Sequence, residues 1–172
     1  MIHINTKVKT LLQKIKPIWL IFFATVVLLI VEIFIILLFH LLNIPQGSNL
    51  PMILPTSLLE VSISLIVIIP SFFIIAPITE TFIFQYLFYE GMCVKHGLSK
   101  KKFIFFSAII FGLLHFSYWS TIFISFTICV VFNYLYAILR EANSKKVFLI
   151  ICSIHSLLNI LAVLLKYLPH YF

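Results

Sequence analysis

The sequence predicts an all-α fold, a polytopic transmembrane helical bundle of about five to six membrane helices. Three observations predict it. Of 172 residues, 63% are hydrophobic and only 10% are charged, where a soluble domain is about half apolar and about a quarter charged. The mean hydropathy is +1.20, so the exterior as well as the interior must be apolar. The cations come in short clusters between apolar runs: Lys7, Lys9, Lys14 and Lys16, then Lys95 and Lys100 to Lys102, then Arg140, Lys145 and Lys146. That is the footprint of cytoplasmic loops and of contact with anionic headgroups. The net charge of +7 therefore points to a bilayer and not to nucleic acid, which needs a continuous basic face in polar surroundings.

The elements follow in chain order. Residues 1–17 are a basic cytoplasmic N-terminus ending at Pro17. Residues 18–42 form a retained anchor helix, since the run is too long for a signal peptide and no small-residue cleavage site follows it. At about 1.5 Å per residue it crosses a hydrocarbon core of about 30 Å. Glu32 and His40 interrupt it and are expected to face other helices or the interface. Residues 43–57, with three prolines, one glycine and no charge, read as a loop on the outer side.

Residues 58–168 are expected to form the helical core domain. The apolar run 58–95 would be about 57 Å long as one straight helix, too long for one crossing. Pro70 and Pro77 lie inside it, and a single crossing broken near Pro77 keeps Lys95 and Lys100 to Lys102 inside. A short helix over 103–118 and another over 120–139 flank an interfacial turn at Tyr118 and Trp119. A charged cytoplasmic link covers 140–146, and a last helix runs over 147–168 to Pro169. The expected location is a cell membrane, multi-pass, with the N-terminus cytoplasmic.

Asp is absent, and the five acids are Glu32, Glu60, Glu80, Glu90 and Glu141. An ionisable group at membrane depth costs about 2.5–3.5 kcal/mol on insertion scales, so such residues are rare and mark function. Four polar positions stand out. Glu80 follows Pro77 at the expected break, where backbone is tolerated only against protein or a wet cavity. A desolvated carboxylate there is a candidate general base. His115 shares a helix face with Phe111, four residues earlier, and Gly112 between them permits close helix approach. His155 and Asn159 are also four apart, and both can donate hydrogen bonds to a developing oxyanion. Any one of them would be read as interhelical glue, worth about 0.6 kcal/mol on average. Four on three helices favour a shared site.

Glu with two His would be an acceptable zinc set. No His-Glu-x-x-His pair is present, and Cys93, Cys129 and Cys152 lack ligand spacing, so the expected site is metal-free with no cofactor. The cysteines read as small packing residues.

The order Glu80, then Phe111-x-x-x-His115, then His155-x-x-x-Asn159 resembles the CPBP family, the CAAX-prenyl-endopeptidase-like and bacteriocin-processing or Abi-type membrane proteins. The resemblance covers roughly residues 60–165. The second and third motifs match as they stand. The first departs from the family's Glu-Glu-x-x-x-Arg: in Pro77-Ile-Thr-Glu80-Thr81-Phe-Ile-Phe-Gln85, Thr81 and Gln85 replace the second glutamate and the arginine, while the proline and the spacing survive.

The resemblance implies a glutamate-type intramembrane endopeptidase acting on a membrane-associated peptide or protein. By position, Glu80 and His115 would activate a water, and His155 and Asn159 would hold the oxyanion. Thr81, Gln85 and Phe111 would support them. Family contexts include bacteriocin maturation, self-immunity, prenylated-protein processing and peptide signalling. The Ile-, Phe- and Lys-rich composition with a single arginine points to an AT-rich bacterial genome. The missing Glu and Arg leave a second reading open, a catalytically inactive immunity or partner-binding protein on the same scaffold.

Overall fold

The computed structural model describes residues 10–12, 14–44, 66–67, 69–142 and 144–167. Most of the outer loop expected over 43–57, Glu60 and Pro169 lie outside them. The described residues are 87% helical and contain no strand. Helix α1 runs over Pro17–Leu41, α2 over Ser71–Lys95, α3 over Lys100–Leu114, α4 over Trp119–Glu141 and α5 over Val147–Tyr167. All but α3 are long and apolar enough to cross a membrane. At 15 residues, α3 reaches only about 22 Å, short of the core thickness. The protein is a multi-pass α-helical membrane protein.

Local chemistry sets the ends. Pro17 opens α1, where a missing N–H costs nothing. Asn43 closes it in the left-handed region at φ 53°, and the next N–H, of Ile44, returns to Phe39 O at 2.9 Å, a glycine-type helix stop made by asparagine. Ser99 caps α3 by accepting from Lys102 N–H. The α3–α4 turn is held by Thr121, whose hydroxyl accepts from Tyr118 N–H and reaches His115 O at 2.9 Å.

The expected break at Pro77 is absent: α2 is continuous. Its turns widen instead, with π-helical windows over Ser71–Ile75, Thr81–Leu87 and Glu90–Lys95. In the first, Ala76 N–H reaches back five residues to Ser71 O. The Thr79 hydroxyl then takes Ile75 O at 2.8 Å. Proline removes a donor, but a neighbouring side chain can satisfy the carbonyl it leaves, so the helix continues through Pro77 without breaking.

Two ion pairs order the bundle. Arg140 donates from Nη2 to Glu90 Oε1 at 3.0 Å, and Lys100 pairs with Glu141. The C-terminal ends of α2 and α4 and the start of α3 therefore share one end. Phe39 meets Phe123 at 5.8 Å, so α1 ends where α4 begins, and Lys14 and Lys16 fall at the same end as the other basic clusters. The interior there is Leu28, Tyr89, Phe103, Phe132, Tyr136 and Ile151. A smaller cluster of Phe84, Ala108, Phe111 and Cys129 lies above it, joining α2, α3 and α4. Thr25, Leu28 and Ile35 are the buried positions of α1. Glu32 falls in register with them and is half-buried, while His40 is exposed.

Candidate active site

Glu80 ends the α-helical stretch Ala76–Glu80, immediately before the long π-helical window of α2. Single π turns inside α-helices recur at functional sites. Its carboxylate Oε2 lies 3.5 Å from Nε2 of His155 on α5, with the two side chains 29% and 10% exposed. The sequence separates them by 75 residues, and α2–α5 packing brings them together. The other ring nitrogen of His155, Nδ1, is buried without a partner. The ring itself rests against Phe132 at 5.2 Å.

Asn159 sits one turn beyond His155 and donates from Nδ2 to Phe72 O at 3.1 Å. Phe72 O is the carbonyl that a residue at 77 would reach in the five-residue register of this stretch, and Pro77 has no N–H to offer. Asn159 fills that vacancy from the neighbouring helix and keeps its second amide hydrogen.

His115 follows the last residue of α3. Its Nδ1 is 2.8 Å from Phe111 O. A carbonyl only accepts, so Nδ1 carries the proton and Nε2 is left as the basic lone pair. Phe111 is buried between the His115 ring at 4.5 Å and Phe84 of α2 at 4.9 Å. The contacts of the His115 side chain are both to Phe111, whereas Glu80 and His155 meet directly. Gly112 lets α3 approach α4 closely: a Cβ there would lie 3.0 Å from both Ile122 O and Phe126 Cβ on α4.

Thr81 and Gln85 turn elsewhere. Thr81 is fully buried, faces Cys152, and its hydroxyl makes no hydrogen bond of ordinary geometry. Gln85 donates to Asn133 Oδ1 on α4 at 3.0 Å. Sequence reasoning passed over Asn133 and Ser107 and took Cys129 for a packing residue; Asn133 and Cys129 contact Gln85, and Ser107 bonds the carbonyl of Phe84 beside it. An intramembrane asparagine in the run 120–139 carried the same signal that singled out Asn159. Among the described residues no three metal-ligating side chains converge.

Residues 62–161 match the family described as type II CAAX prenyl endopeptidase Rce1-like. The matched segment holds Glu80, His115, His155 and Asn159 and leaves α1 outside it. No curated protein and no solved structure matches the chain. The match spans more than half of the 172 residues, and the chain belongs to the type II CAAX prenyl endopeptidase Rce1-like family.

Proposed function

We propose that this protein is a metal-free, glutamate-type intramembrane endopeptidase that hydrolyses a peptide bond in a membrane-associated peptide or protein. The observation that carries the reading is the approach of Glu80 Oε2 to His155 Nε2 at 3.5 Å, on helices that cross the membrane and within the family-matched segment. Glu80 takes a proton from a water, with the free Nε2 of His115 as its partner. The hydroxide adds to the peptide carbonyl carbon. The oxyanion is met by His155 and by the second amide hydrogen of Asn159. Collapse breaks the C–N bond, and the proton held by the base passes to the leaving amine. Phe111 fixes the position of the His115 ring.

The contexts that fit are processing of a bacteriocin-like peptide, self-immunity and peptide signalling. The test is cleavage of a membrane-peptide library by the protein reconstituted in vesicles, comparing wild type with Glu80→Gln and His115→Ala. Loss of cleavage in both, with unchanged melting, is expected. Full activity in both would end the reading.

A second reading is favoured by one observation: Thr81 and Gln85 are buried and engage Cys152 and Asn133, away from Glu80. On it the protein is a non-catalytic immunity or partner-binding protein. Protection of the host cell that survives substitution of both Glu80 and His155 would select it.

A further inference from the structure

Three buried hydrogen bonds close a ring through three helices. Gln85 on α2 donates to Asn133 Oδ1 on α4 at 3.0 Å. Asn133 donates from Nδ2 to Ile104 O on α3 at 3.0 Å. Ser107 on α3 donates to Phe84 O on α2 at 2.7 Å. Gln85 is 2% exposed, and Asn133 and Ser107 are 0% exposed. Cys129 adds a thiol 3.5 Å from Asn133 Nδ2 and 3.7 Å from Gln85 Nε2.

Two bonds of the ring end on backbone carbonyls. They therefore fix how far each helix is slid along its neighbour, which apolar side chains alone constrain weakly, because Leu, Ile and Phe surfaces repack with little loss. The ring lies one turn from Glu80 on α2, and Ser107 is one turn before Phe111 on α3. Asn159 holds α2 at Phe72 on the other side of Glu80. The glutamate thus sits between two polar pins, one from α5 and one from the ring.

We infer that Gln85, Asn133 and Ser107 form a neutral positioning ring that sets the height of Glu80 on α2 against His115 at the end of α3. They are positioning residues and do not touch the reacting atoms. The inference rests on the proposed hydrolytic reading for its consequence in turnover. Its geometric content can be tested without turnover.

The probe is dicyclohexylcarbodiimide, an apolar reagent for membrane carboxyls, applied to the reconstituted full chain and read site by site by mass spectrometry. Glu32 on α1, outside the ring, is the internal reference. The variants are Gln85→Met, Asn133→Leu and the two combined. Single variants strand a buried polar partner and lower stability. The double variant replaces both partners by apolar groups and should melt close to wild type.

The expected result is a several-fold change in Glu80 labelling in all three variants, with Glu32 unchanged. Where cleavage is measurable, kcat falls about 10- to 100-fold, as a small misplacement of a catalytic group costs, and KM moves less than about twofold. Wild-type Glu80 labelling in the double variant overturns the ring. A parallel change at Glu32 also overturns it, because the effect is then general loosening. If wild type and Glu80→Gln cleave alike, the hydrolytic reading fails, while the labelling pattern still decides the ring.

Discussion

Asn159 on α5 donates its side-chain amide to the carbonyl of Phe72 on α2, the acceptor that Pro77 leaves unpaired. The bond joins a helix irregularity on α2 to the residue one turn beyond His155 on α5. It gives Asn159 a structural role, with one amide hydrogen committed to α2.

This relationship predicts a specific coupling. Asn159→Leu should cost about 0.6 and at most about 1.7 kcal/mol, the range for hydrogen bonds between membrane helices. Pro77→Ala returns an N–H to α2, so Asn159→Leu should cost little in that background. Thermal unfolding of the two singles and the double in nanodiscs checks it, and strictly additive effects would refute the coupling.

His115 is held in one tautomer by Phe111 O. Asparagine can keep the donor on the Nδ1 side and has no basic nitrogen. His115→Asn should therefore melt like wild type and lose about 100- to 10,000-fold in cleavage rate, the usual share of a general acid–base group. Nitrogen-15 NMR of the labelled ring should show the proton on Nδ1. A proton on Nε2 would contradict the assignment.

Gly112 packs directly against α4. A Cβ there meets a backbone oxygen and a Phe126 carbon at 3.0 Å, and a backbone atom cannot swing aside. Gly112→Val should destabilise by about 1–3 kcal/mol, the cost of overpacking, and should displace His115. A melting curve unchanged by the substitution would show that the helices have room to separate.

The basic clusters share one end of the bundle, which predicts that this end faces the cytoplasm. With Cys93, Cys129 and Cys152 replaced by alanine, a cysteine at Lys101 should be protected from an impermeant maleimide in intact cells. A cysteine at Trp119 should react from outside. The reverse pattern would invert the proposed orientation.

By composition and pattern the sequence determined that this is an all-α membrane protein. The bilayer leaves few alternatives to helices for a chain this apolar, so the conclusion needs no knowledge of packing. The helical spacing of Phe111 with His115 and of His155 with Asn159 was legible for the same reason, since residues four apart on a helix must be neighbours. The behaviour of α2 was not. Proline removes a donor wherever it stands, but whether the helix breaks depends on what arrives to satisfy the carbonyl it leaves, and here the distant Asn159 does so at Phe72 O. Nor could the sequence show that Glu80 faces His155, or that Gln85 turns to Asn133. Those partners lie 75 and 48 residues away, and only the packing of α2 against α5 and α4 decides which polar groups meet in an interior with no water to offer instead.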